Sequence, residues 1–247
     1  MQKTKDLICP SGLAVTIRET TGADDDVFSG SSSKDYETIN TFISGIIVGG
    51  DLGAHVSASK ILEMLLRDKY FILLSSRIFS LSPILYFTHT WMDGVAPSEY
   101  DVDLQEYIWD YTTPFPTPDS PDYFDQRIPP YPEGTDGWVY FTLGEQEARF
   151  HYLDGKGEAY LLNLPASKRS INQQFTAREL QVKQRDTWEA VKNFAFFSAR
   201  DMVVLRSKLA EADPEIQGLV IVSNPYTGEE VPMSILGIVD FFFPTRI

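Results

Sequence analysis

Residues 7–24 read LICPSGLAVTIRETTGAD, and their pattern decides how the chain is parsed. A Pro10-Ser11-Gly12 turn leads into Ala14-Val15-Thr16-Ile17-Arg18, where apolar and polar side chains alternate with the period of a half-buried strand. Thr21 stands three positions before Asp24, the spacing of a capping box that opens a helix. Turn, strand and capped helix are therefore expected in immediate succession.

A similar order recurs beyond residue 160. Leu162-Asn163-Leu164-Pro165-Ala166-Ser167 precedes Ser170-Ile171-Asn172-Gln173, read as a short strand, and Thr176-Ala177-Arg178-Glu179, read as a second capping box. Pro10 to Thr21 and Pro165 to Thr176 both span eleven positions. Arg67-Asp68 precedes the helical run Tyr70-Phe71-Ile72-Leu73-Leu74, and Arg200-Asp201 precedes Met202-Val203-Val204-Leu205. Strands are expected at 84–87 and 219–222. Each leads to a glycine turn, at Met92-Asp93-Gly94 and Tyr226-Thr227-Gly228. Both halves close on apolar residues read as strands, 107–109 and 238–243. Two parsings fit this order: an internal duplication, or two unrelated α+β units.

Between the halves, residues 112–137 hold seven of the fifteen prolines, which remove backbone donors and forbid helix interiors. Phe115, Tyr123, Phe124 and Tyr131 are interleaved with them. This stretch reads either as a solvated linker or as an ordered arm that packs its rings on a neighbour. Residues 138–141 and 149–153, the turn Asp154-Gly155-Lys156-Gly157, and 160–162 read as a small meander. Ser29-Gly30-Ser31-Ser32-Ser33 reads as a flexible loop. The expected architecture is α+β: two tandem lobes, duplicated on the first parsing, joined by a Pro-rich linker. The boundaries are 1–111, 112–137 and 138–247.

Composition narrows the function classes. The 247 residues carry 35 acidic and 21 basic side chains, a formal charge of −14, with 43% hydrophobic and 13% aromatic residues. The pI near 4.6 argues against binding nucleic acid or an anionic membrane surface. No apolar run is long enough for a bilayer span, and no signal peptide is expected. The single cysteine, Cys9, excludes an internal disulfide and reads as a buried, inert thiol.

The motifs of common enzymes are missing. Gly49-Gly50-Asp51-Leu52-Gly53 lacks the spacing and lysine of a phosphate-binding loop, and neither a Gly-x-Ser-x-Gly elbow nor a His-Glu-x-x-His helix occurs. His55, His89 and His151 have no partners at metal-ligand spacing and read as structural or surface residues. Asp24-Asp25-Asp26 suits the first turn of a helix, where acids complement the dipole. Asp101 and Asp103 share one strand face and need no catalysis to explain them. The expectation is no catalytic residue, no cofactor, no metal and no enzymatic activity.

Four features together resemble the baseplate hub assembly chaperones and hub subunits of T-even-like contractile-tailed bacteriophages and related contractile injection systems. They are the Leu-Pro-Ser-Gly-like opener, the Thr-x-x-acid cap, Asp201-x-x-x-Leu205-Arg206, and the ending Phe241-Phe242-Phe243-Pro244. The likeness is clearest over 162–244 and fainter over 7–111. Many members of that family carry Cys-Pro-x-Cys knuckles at the hairpin. Here the turn reads Ser223-Asn224-Pro225-Tyr226-Thr227-Gly228, so packing of Val220, Val222, Val231 and Ile235 must replace the metal. The resemblance implies a non-enzymatic structural or assembly role at the hub, in the virion and in the host cytoplasm during assembly. The implied partners are hub, spike or tape-measure proteins, with self-association open. The interaction candidates are Phe115, Tyr123, Phe124 and Tyr131, together with Phe241, Phe242 and Phe243, the last three read as either a core strand or an exposed anchor. The competing readings are a tail-associated cell-wall hydrolase and an unrelated intracellular adaptor.

Overall fold

The computed structural model describes residues 2–28, 36–92, 96–124, 127–212 and 219–234. The fold is α+β. Among the described residues the order is β1 (Thr4–Ile8), β2 (Ala14–Arg18), α1 (Gly22–Phe28), α2 (Tyr36–Ile46), β3 (Ile47–Gly50), α3 (Ala58–Ile61), α4 (Leu66–Ser80), β4 (Ile84–His89) and β5 (Ser98–Asp103). There follow β6 (Trp138–Leu143), β7 (Gln146–His151), α5 (Gly155–Leu162), α6 (Ile171–Ala177), β8 (Gln181–Gln184), β9 (Thr187–Ala190), α7 (Ala199–Ala212), β10 (Leu219–Ser223) and β11 (Glu230–Ser234).

The chain divides into two compact units at boundaries other than those expected. The first takes Met1–Ile61, Arg67–Tyr131 and Ile216–Ile247, and the second takes Leu62–Leu66 and Pro132–Glu215. The halves are therefore not tandem. The β10–β11 hairpin belongs with the N-terminal elements, and most of the proline-rich stretch is part of the first unit rather than a linker.

In the first unit β1, β2 and β3 form an antiparallel sheet in that order. Alternation buries Leu7, Val15 and Ile17. The Cys9–Leu13 turn closes through Cys9 N–H to Leu13 O at 2.9 Å. Gly50 ends β3 at φ 87°, where a Cβ would lie 2.4 Å from Ala14 O, so only glycine lets the strands approach there. The expected cap at Thr21 is present: its N–H and hydroxyl donate to Asp24 Oδ2 at 2.7 and 3.0 Å. Ile39, Phe42, Ile43 and Ile46 bury one face of α2 at helical spacing.

Helix α4 is buried from Arg67 through Arg77, as its unbroken apolar run requires. Its polar residues are met only in part: Ser75 Oγ and Arg77 Nε are buried without a hydrogen-bond partner among the described residues. Ser76 Oγ donates to Leu73 O at 2.9 Å, and Arg77 Nη1 to Ser82 O at 3.0 Å. The β4–β5 and β10–β11 hairpins bury Leu85, Phe87, Val220 and Val222. Tyr100 ties them together: Trp91 Nε1 donates to its hydroxyl at 2.7 Å, and that hydroxyl donates to Ser223 O at 3.1 Å. The strand expected at 107–109 is absent: Tyr107 ends a 3-10 turn, Leu104–Tyr107, capped by Asp103, whose Oδ1 accepts Gln105 N–H at 2.9 Å, and Ile108 and Trp109 follow it without regular structure. The strand lies earlier, in β5, which contains the Asp101 and Asp103 read as sharing a strand face.

The second unit is built on an antiparallel sheet ordered β6-β7-β8-β9. Phe141 and Phe150 pack on one face with Phe175 of α6. Asp154-Gly155-Lys156-Gly157 is not a turn between strands. Asp154 is the N-cap of α5, its Oδ1 accepting Gly157 N–H at 2.8 Å. Residues 170–173 are not a strand, and Thr176 opens no helix. Thr176 lies inside α6 and donates to Asn172 O at 2.9 Å. The capping box of this half stands later. Ser198 N–H and hydroxyl donate to Asp201 Oδ2 at 3.0 and 2.7 Å, and Asp201 N–H returns to Ser198 Oγ at 3.2 Å. Pro10 and Pro165 thus occupy different local structures, a hairpin turn and a helix-to-3-10 junction, which removes the first anchor of the expected duplication. The second fares little better. Asp68 and Asp201 are each the third residue of their helix, but one is buried against a distant turn and the other is a local cap. The third anchor, Gly94, lies outside the described residues.

Candidate functional site

The second unit presents an open cleft of about 400 Å³. Its floor is the outward face of the sheet at Trp138 and His151, which are direct register partners on β6 and β7. One wall is the start of α5, with Asp154, Lys156 and Tyr160. The other is the end of α6, with Thr176, followed by Glu179. The walls meet at Gly157, where a Cβ would lie 2.5 Å from Ala177 O.

Several contacts hold the floor rigid. The Arg149 guanidinium stacks between Trp138 and Trp188, at 4.2 and 4.4 Å from the ring centres, and its Nε donates to Gln181 Oε1 at 2.9 Å. The His151 ring meets Trp138 edge-on at 5.1 Å. Asp136 accepts the Tyr140 hydroxyl at 2.7 Å and Trp138 N–H at 3.1 Å, and these bonds hold its carboxyl below the usual range. His151 Nδ1 lies 2.7 Å from Tyr152 O. A carbonyl only accepts, so Nδ1 is the donor in this contact.

Around this floor the polar groups are unevenly committed. Lys156 pairs with Glu63 at 3.2 Å, and the Tyr160 hydroxyl bonds Gln173. Asp154 uses Oδ1 for its cap. Glu179 sits exposed at φ 53°, a left-handed conformation that costs a non-glycine residue energy. The result is a fixed aromatic platform ringed by hydrogen-bond acceptors, which suits binding of a small polar ligand.

The residues singled out by sequence lie elsewhere, in the first unit. Phe115 meets Trp109 edge-on at 5.9 Å, Phe124 meets Tyr107 at 5.8 Å, and Tyr123 is half-buried. Tyr131 is 5% exposed. The Arg67 guanidinium covers its ring at 4.3 Å, its hydroxyl accepts Arg67 N–H at 3.3 Å, and its own N–H donates to Pro10 O at 2.9 Å. Burial removes Tyr131 from the surface candidates. Phe241, Phe242 and Phe243 lie outside the described residues.

A carboxyl raised by burial also lies away from the cleft. Burial pushes the Asp68 carboxyl up to about 6, against hydrogen bonds from Ser11 and the charge of Arg67. Cys9 is fully buried, and its thiol is pushed up by burial and then by Asp68 and Asp51. Asp24 takes a two-pronged contact from Arg18 at 2.6 and 2.8 Å, so it is a structural acid. His55 is exposed, and His89 lies edge-on to Trp91 at 4.6 Å. Among the described residues no group of three or more His, Cys, Asp or Glu is placed to hold a metal ion, and no helix is long and apolar enough to cross a membrane.

In the sequence the cleft residues belong to separate motifs, a strand, a turn and a cap. The signal that unites them is cross-strand: Trp138 and Tyr140 share one face with Arg149 and His151 of the paired strand. No family model, curated protein or solved structure matches the chain.

Proposed function

We propose that this protein is a non-enzymatic structural or assembly component of a contractile phage tail, acting at the baseplate hub through protein–protein contacts. The supporting observation is on α7, the helix that carries Asp201-x-x-x-Leu205-Arg206. Leu205 is wholly buried and anchors the helix, while Val203 is 62% exposed and Phe196, just ahead of the helix, is 86% exposed. An exposed ring forgoes about 2 kcal/mol of burial, and contact energy concentrates in a few such anchors. The partner is a hub, spike or tape-measure protein, met in the host cytoplasm during assembly and in the virion.

The test is to co-express the protein with each of those tail proteins and to compare Phe196→Ser/Val203→Ser with the parent. Recovery of one partner should fall about tenfold, the effect of about 1.4 kcal/mol, at unchanged melting temperature. Undiminished recovery of every partner ends the reading.

A further inference from the structure

We propose that the cleft of the second unit binds a neutral saccharide, a property separate from the tail-assembly role. Its volume of about 400 Å³ lies in the range of small-ligand sites, roughly 300–1,000 Å³. Trp138 lines the cleft with an aromatic ring, which attracts the polarised C–H groups of a pyranose. That ring needs no ordering on binding, because Arg149 and His151 already hold it.

The polar groups select the same chemistry. Acceptors predominate: the Asp154 oxygen not used in its cap and the Glu179 carboxylate, beside the His151 ring. Sugar hydroxyls are the matching donors. Lys156 supplies a donor for a ring or glycosidic oxygen.

Charge argues against the alternatives. A cationic ligand would meet the like charge of the Arg149 guanidinium, which is stacked on Trp138 at 4.2 Å. An anionic ligand would face Asp154 and Glu179. An uncharged, hydroxyl-rich ligand meets neither conflict. The positive φ of Glu179 is that of a Schellman cap closing α6, with Glu179 N–H donating to Thr176 O at 3.1 Å and Leu180 N–H to Phe175 O at 3.0 Å, and this cap fixes where the carboxylate stands.

The experiment is saturation-transfer NMR on the full chain, with cellotriose and chitotriose as probes. Binding is expected with a dissociation constant on the order of 1 mM, which one stacked ring and a few hydrogen bonds sustain in an open site. Glu179→Gly removes the carboxylate and accepts the positive φ, so it should keep the melting temperature and weaken binding about tenfold. Trp138→Ala should abolish binding, and Trp138→Phe, which preserves a packed ring if alanine unfolds the sheet, should weaken it. No transfer to either sugar overturns the proposal, as does binding that Glu179→Gly and Trp138→Phe leave unchanged, or displacement of the sugar by a lysine-rich or glutamate-rich peptide. None of these outcomes bears on Phe196 or Val203.

Discussion

Ser11 and Asp68 are 57 positions apart and joined twice, Ser11 N–H donating to Oδ1 at 3.0 Å and Ser11 Oγ to Oδ2 at 2.6 Å. This contact pins the β1–β2 turn to the start of α4. It also places a carboxyl where burial opposes its charge.

That conflict predicts a pH dependence. The folded-state pKa of Asp68, about 6, lies above the ordinary 3.8, so the fold holds this proton more tightly than the unfolded chain does. The stability it contributes is complete below 3.8 and is lost as pH rises through about 6. Asp68→Asn has no such loss. From acid to neutral pH the variant should gain on the parent by at most about 3 kcal/mol, at about 1.4 kcal/mol per pH unit. Urea unfolding at pH 4 and 7.5 measures the change, and a pH-independent difference would refute it.

Asp24 behaves in the opposite sense. Burial raises its pKa, but hydrogen bonds from Arg18 and Thr21 outweigh that and leave the carboxyl below 3.8. Its contribution is present above that value and fades as pH falls through the lowered pKa. Asp24→Ala removes the cap and the Arg18 pairing together and should cost about 2–3 kcal/mol near neutrality. In thermal melts, variant and parent should converge in strong acid.

Tyr100→Phe deletes one hydroxyl that both accepts from Trp91 and donates to Ser223 O. The ring stacks on Phe87 at 5.4 Å and should stay in place. Loss of the bridge should cost about 1–2 kcal/mol. Amide exchange should quicken in β10 and β11 before it does in β1 and β2; uniform quickening would mean that the hydroxyl joins nothing.

Two glycines should respond oppositely to alanine. Gly157→Ala drives a methyl into Ala177 O and Leu153 and should destabilise by about 1–3 kcal/mol. Gly22→Ala, at the start of α1 with open space around it and no positive φ, should be neutral or stabilise by up to about 1 kcal/mol. Calorimetry on both variants checks the sign.

Local rules made part of this fold legible. The alternation of 14–18, the cap at Thr21, the apolar run of α4 and the turn at Gly228 all stand where periodicity and turn chemistry put them. The same rules failed where a motif had two physical uses. Asp-Gly-x-Gly can make a turn or cap a helix, and packing of Gly157 on Ala177 decided for the helix. Thr-x-x-Glu at 176–179 had the spacing of a box, but the helix had already begun at Ile171. The cleft was hidden for another reason. Its residues come from β6, β7, α5 and the end of α6, and strand register alone brings Trp138 opposite His151.

The order in which the first unit is assembled along the chain has a consequence for biosynthesis. Tyr100 leaves the ribosome well before its acceptor at Ser223, and Val220 and Val222 fill the same unit's interior last. At about 5–20 residues per second, the β4–β5 hairpin waits on the order of 10 s for the β10–β11 hairpin. The second unit has no such wait, because its last helix ends at Ala212. During translation the second unit is therefore the first able to finish, and the β4–β5 hairpin spends that interval without the hairpin it is tied to.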